Sequence, residues 1–241
     1  MKKIRIDELL ALRGLCESRL KAKAVIMAGK VWIGSERIDK PGRMLPMDAE
    51  LEVKNPSPYV GRGGHKLAAF LEEFGVSVKN WDVLDLGSST GGFTDCLLQS
   101  GARSATCVDV GKGQLHGKLR VDERVQVREG INVRHLEKGD LPHPVYDLVT
   151  MDLSFISLRK TLENAWKFVR VAGQLIALVK PQFEATKKEA DAGRGIIRDP
   201  QVHQRVVEEI KHFARERLNH SQLVGFMESP LRGAEEIGRA S

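Results

Sequence analysis

Two hydrophobic rhythms divide the chain. From Ile6 to Gly14 and again from Ser18 to Gly29, apolar residues recur at helical spacing, with Leu9, Leu10 and Leu12 on one predicted helix and Leu20, Ala24 and Val25 on the next. Ser18 suits an N-cap and Gly29 a C-terminal stop. KVWIGSERI and AELEVK alternate as short strands do, separated by the turn-rich KPGRMLPMD. NPSPYVGRGGHK then concentrates proline and glycine, which predicts a linker running into a helix. From Trp81 the period changes. DVLDL, ATCVDV, VQVREG, YDLVTMDL, QLIALVK and SQLVGFME predict strands, and TDCLLQSG, SLRKTLENAWKFV and PQVHQRVVEEIKHFARERL predict helices between most of them. Such alternation implies an α/β unit, a parallel sheet covered by helices on both faces, behind a small α+β unit. The predicted division is 1–54, a linker over 55–65, and 66–241. In sheets of this kind ligands bind at the carboxyl ends of the strands, near the switch in strand order.

Composition narrows the picture. With 241 residues and 41% apolar content the chain can bury a sizeable core. Lys and Arg total 38 against 32 Asp and Glu, a net charge of +6, which favours a polyanionic partner. Cys16, Cys96 and Cys107 show no zinc-type spacing, so reduced thiols and no metal are expected. Asp7 and Glu8 interrupt the region where an export signal would be apolar, and no run reaches transmembrane length; a cytoplasmic protein without a membrane partner is the expectation.

The turn in WDVLDLGSSTGGFTDCLL carries the first candidate chemistry. It lacks the lysine of a phosphate loop, and a serine replaces the middle glycine of a dinucleotide fingerprint. Asp85-x-Gly87-x-Ser89-x-Gly91 has the spacing of an S-adenosylmethionine loop, although a tight turn of purely structural purpose has the same composition. Asp109, closing the next strand, stands where an acid would hold ribose hydroxyls. The candidate cofactor set is Asp85, Gly87, Ser88, Ser89, Gly91, Gly92, Phe93, Asp109, Val110 and Asp152.

Three charged residues sit where the fold alone would not select them. Asp152 ends an apolar strand, Lys180 ends another immediately before Pro181, and Lys66 lies early in a helix, where the helix dipole disfavours a cation. Singly, each has a structural explanation as a cap, an ion-pair partner or a solvated side chain. Jointly they are what methyl transfer to a hydroxyl calls for: a lysine near a second cation, able to orient or deprotonate the oxygen, and an aspartate to fix the lysines.

The chain resembles the TlyA-type family, also labelled hemolysins, of FtsJ-like RNA ribose 2′-O-methyltransferases. YVGRGGHKL, VLDLGSSTGGFTDCLL, VDVGKGQL, MDLSFISL and LVKPQFE resemble its successive motifs, and residues 5–42 resemble the alpha-L RNA-binding domain of a ribosomal protein and of pseudouridine synthases. The resemblance spans about residues 4–233. It implies a Rossmann-like sheet, S-adenosylmethionine as donor, ribosomal RNA or ribosomal subunits as acceptor, and a Lys-Asp-Lys-Glu tetrad whose first three members are Lys66, Asp152 and Lys180. For RNA contact the candidates are Arg5, Arg13, Arg19, Lys21, Lys23 and Lys30, grouped around the two short helices. The fourth tetrad member has no clean counterpart: Glu235 and Glu236 stand at the wrong offset, Arg239 near the expected place, and the family's last antiparallel strand has no equivalent before Ser241. An RNA- and S-adenosylmethionine-binding protein with little turnover is therefore an alternative. Lysis, the other alternative, is what the hemolysin label implies; VHQRVVEEIKHFARERL is amphipathic, but packing of a helix on a sheet explains it more cheaply.

Overall fold

The computed structural model describes residues 3–16, 18–53, 58–193 and 195–231. The chain divides into two compact units, Met1–Pro58 and Tyr59–Ser241.

In the first unit, β1 (Lys3–Arg5) leads directly into α1 (Ile6–Leu12), followed by α2 (Arg19–Met27), β2 (Val31–Ile33), β3 (Glu36–Ile38), β4 (Met44–Pro46) and β5 (Glu52–Val53). The Ser18 hydroxyl accepts a hydrogen bond from the Lys21 amide and starts α2. Gly29, at φ 67°, follows the end of that helix in the left-handed region that glycine tolerates. Strands β3, β2 and β5 form one antiparallel sheet and β1 with β4 another. The core is built from Ile6, Leu9, Leu10, Ala22, Ile26, Val31, Ile38 and Leu45. This corrects the predicted face of α2. Ala22 and Ile26, four residues apart, point inward, while Leu20 is exposed; at the end of α1, Leu12 is exposed as well. Strand β4 falls inside the segment read as turn, because Leu45 alone of its residues is buried and three residues leave no visible alternation.

The second unit opens with Tyr59 and Val60 packed on its core, so residues 59–65 are not linker. The Val60 amide donates to the buried carboxylate of Asp95, 2.9 Å away, and α3 begins at Gly63 (Gly63–Glu73). There follow β6 (Asp82–Leu86), α4 (Gly92–Gln99), β7 (Ser104–Asp109), α5 (Gly117–Arg120), β8 (Val125–Glu129), β9 (Tyr146–Met151), α6 (Leu162–Trp166), β10 (Val169–Ala177), α7 (Pro181–Glu184), α8 (Lys187–Ala192) and α9 (Pro200–Arg217). The sheet runs β10-β9-β6-β7-β8, every pair parallel. From β6 the chain winds outward through β7 to β8, then returns across β6 to β9. The switch in order therefore lies between β6 and β9, where such sheets open a crevice at their carboxyl ends. One core cluster joins the sheet to α3 and α4, the other joins it to α6 and α9.

The predicted strand over 221–228 does not form among the described residues. Leu223, Val224 and Phe226 are exposed. Phe226 lies under the Lys211 ammonium, 4.1 Å from Nζ to the ring centre, and Gly225 rests against the Phe74 ring. A short apolar run gave this segment a strand's appearance, but a strand also needs a neighbour for its backbone, and none of the described residues pairs with it. Glu235, Glu236 and Arg239 lie outside the described residues.

Candidate active site

The ends of β6, β9 and β10 and the start of α3 converge on a cavity of about 290 Å³. Its wall includes Lys66, Gly87, Ser88, Ser89, Gly92, Phe93, Asp152 and Lys180, all singled out from sequence. Arg62, Gly63, Thr90, Ser154 and Leu231 complete it.

The glycine turn explains how backbone reaches this wall. Gly87 has φ 84°, and a side chain there would meet the Asp152 carbonyl oxygen at 2.8 Å, so only glycine lets β6 and β9 end so close together. Ser89 also occupies the left-handed region, at φ 47°. Its amide donates to Asp109 Oδ2 over 2.8 Å, while the Gly111 amide donates to Oδ1 over 2.7 Å. Asp109 thus ties the turn to the end of β7, and each of its oxygens retains a second lone pair.

Asp85, Gly91, Asp109 and Val110 do not line the cavity. Asp85 is fully buried beneath the turn and accepts from the Thr94 amide, the Thr94 hydroxyl and the Thr150 hydroxyl. Burial pushes its carboxyl up to about 6 against the lowering effect of those bonds. It braces the turn from inside. Gly91, at φ 93°, faces Leu119 and Leu115, whose side chains any Cβ would strike. Val110 points to solvent.

Among the charged groups, Lys180 Nζ lies 2.7 Å from Asp152 Oδ1 and donates to Ser154 Oγ over 2.9 Å. The contact with Oδ1 is an ion pair by distance without hydrogen-bond alignment, which leaves that buried oxygen otherwise unsatisfied. Lys66 is half buried. Its ammonium is held below the ordinary lysine range first by burial and then by the charges of Lys180 and Arg62, with Asp152 acting in the opposite sense. Ser154 and Arg62 escaped the sequence reading because each lies in an irregular segment whose direction only the packed fold sets.

In the first unit the candidate arginines have structural partners. Arg5 and Arg19 both reach the fully buried Asp7, at 3.0 and 3.1 Å, and Arg19 also meets Glu8 at 2.8 Å. Arg13 donates to the carbonyls of Ala49 and Met47. Lys23 is exposed, and Lys30 partly so.

Residues 59–236 match the family described as FtsJ-like methyltransferase, and residues 4–51 match the S4 domain. The chain belongs to the FtsJ-like methyltransferase family. It is 49% identical over 214 residues, 88% of this chain and 76% of the relative, to the Bacillus subtilis protein named "Putative rRNA methyltransferase YqxC". It is 41% identical over 234 residues, 96% of this chain and 86% of the relative, to "16S/23S rRNA (cytidine-2'-O)-methyltransferase TlyA" of Mycobacterium tuberculosis. A solved structure titled "Putative hemolysin from Streptococcus thermophilus" superposes with a TM-score of 0.72 at 41% identity, covering 98% of this chain and 85% of that one. In this FtsJ-like methyltransferase, among the described residues, no helix is long and apolar enough to cross a membrane.

Proposed function

We propose that this methyltransferase transfers the methyl group of S-adenosylmethionine to a ribose 2′-hydroxyl of ribosomal RNA. The observation that carries the reading is the meeting of Lys66, Asp152 and Lys180 in one cavity with the glycine turn. The wall fits the donor: close backbone at Gly87, Ser88, Ser89 and Gly92 suits its amino-acid part, and the Asp152 carboxylate on the same wall suits a cationic centre. When bound, S-adenosylmethionine supplies a methyl group activated by a sulfonium.

The chain's own residues supply the acceptor side. Lys180, fixed by Asp152 and Ser154, orients the hydroxyl. Lys66, the lysine whose surroundings favour the neutral amine, takes the proton as the new O–CH3 bond forms and the S–CH3 bond breaks. Asp109, already bonded to Ser89, offers its remaining lone pairs to ribose hydroxyls, and the S4 unit contributes RNA contacts through the exposed Lys21 and Lys23 and the partly exposed Lys30. Relatives named as rRNA methyltransferases support RNA as the acceptor.

The test is incubation with methyl-labelled S-adenosylmethionine and unmodified 16S- or 23S-containing subunits. Label is expected in RNA 2′-O-methyl nucleotides, and Lys180→Ala is expected to lower transfer by a factor of about 100 or more while cofactor affinity changes little. Absence of label under conditions where the Mycobacterium relative works would overturn the assignment.

A further inference from the structure

The proposed chemistry depends on two loops that leave adjacent parallel strands, and a residue outside the cavity fastens them together. Residues 152–158 follow β9 and residues 180–184 follow β10. They touch at three levels. Next to the sheet, Lys180 contacts Asp152 and Ser154. Further out, the rings of Phe155 and Phe183 stand 5.3 Å apart. At the far end, the buried Glu184 carboxylate accepts from the Ser157 hydroxyl through Oε2 and from the Leu158 amide through Oε1, both at 2.6 Å.

Sequestering a carboxylate is costly unless both oxygens are bonded, so its presence here needs a return. The bonded loop shows what that is. Phe155 sits at φ 62°, a region aromatic residues avoid, and it is exposed. Such a backbone persists only where its surroundings determine it. Just before Phe155 comes Ser154, which receives the Lys180 hydrogen bond. A loop released at Ser157 and Leu158 can relax at Phe155 and carry Ser154 and Asp152 out of register with Lys180.

Resting on the methyl-transfer reading, we propose that Glu184 is a positioning residue: its carboxylate clasps the two post-strand loops and sets the alignment of Lys180 with Asp152 and Ser154.

Three variants and two readouts test this. Glu184→Ala removes both bonds. Glu184→Gln can remake them, its carbonyl accepting from Leu158 and its amide donating to a turned Ser157 hydroxyl. Ser157→Ala removes one of the two clasp bonds, together with the bond that the Ser157 hydroxyl accepts from the exposed Arg159 amide, and leaves the Glu184 bond to Leu158 in place. With labelled S-adenosylmethionine and ribosomal subunits, Glu184→Ala is expected to lower kcat about 10- to 100-fold, as small misplacements of reacting groups do. KM for the subunits and Kd for the cofactor should stay within about twofold, Ser157→Ala should lose several-fold, and Glu184→Gln should recover most of the rate. The second readout needs no turnover. The 13Cε signal of Lys180, assigned through Lys180→Arg, should move toward that of solvent lysines in Glu184→Ala and Ser157→Ala and return in Glu184→Gln.

Unchanged kcat and unchanged Lys180 signal in Ser157→Ala and Glu184→Ala would overturn the clasp, as would a loss of cofactor binding equal to the loss of kcat. If the wild type transfers no methyl to RNA yet the Lys180 signal responds as described, the acceptor assignment fails and the clasp stands.

Discussion

Lys180 Nζ and Asp152 Oδ1 meet at 2.7 Å across the carboxyl ends of neighbouring strands, and Lys66, from α3, lines the same cavity and feels the charge of that carboxylate. Two ammoniums thus compete for one anion in a partly enclosed space. Lys180 holds the close contact, and for Lys66 burial outweighs the attraction of Asp152, with the charges of Lys180 and Arg62 adding to the lowering.

Removing the competitor should therefore change the titration of Lys66. In the wild type its pKa lies below the ordinary 10.5, so between that lowered value and 10.5 the unfolded chain binds more protons and stability rises with pH. In Lys180→Met the repulsion disappears and Asp152 is freed to act on Lys66 alone, so the pKa moves up and the window narrows from below. Proton titration followed at the 13Cε of Lys66 measures this directly. A lower or unaltered value in the variant would contradict the electrostatic arrangement described here.

Gly92 supplies a steric prediction. A Cβ at this position would stand 2.9 Å from the Gly64 nitrogen, 3.1 Å from the Gly61 oxygen and 3.2 Å from the Gly63 nitrogen, all backbone atoms that cannot rotate away. Gly92→Ala must push the start of α3 off α4, displacing Lys66 and widening the cavity. A stability loss of about 1–3 kcal/mol is expected, with weaker cofactor binding and slower transfer. Gly117→Ala, where the added carbon meets nothing within 4 Å, serves as the control and should leave both unchanged. Thermal denaturation and calorimetric titration of both variants decide it. Wild-type behaviour in Gly92→Ala would mean the two helices are not held at this separation.

The uneven success of sequence reasoning has physical causes visible in these residues. Asp152 and Lys180 were legible because a parallel sheet sends strand ends to one side, so charged residues ending apolar strands are brought together by topology. Gly87 was legible because a left-handed turn needs it. Asp85 was misplaced, since a turn motif does not reveal which side chains face the ligand and which brace the loop from below. Ser154, Arg62 and the Glu184 clasp lie in segments without period, where only three-dimensional packing sets direction. The segment 221–228 shows the reverse failure: its apolar run was real, but strand formation depends on a partner that sequence does not display.

The basic residues of the S4 unit should separate into two classes. Asp7 has no exposed surface and its carboxyl is held down to about 2, chiefly by hydrogen bonding to Arg5 and then to Arg19. That stabilisation is present above the ordinary 3.8 and disappears as pH falls through about 2. Replacing Arg5 and Arg19 together with Met leaves the carboxylate without its cations. Because both arginines are more than a third exposed, solvent screening keeps the loss modest, read as a lower denaturation midpoint of this unit at pH 7. Lys23→Gln with Lys30→Gln should leave that midpoint unchanged and instead weaken RNA binding, with the slope of log K against log salt falling by up to about 2. Equal effects of the two pairs on stability, or an unaltered salt slope in the lysine pair, would show that the division between supporting and RNA-facing cations is wrong.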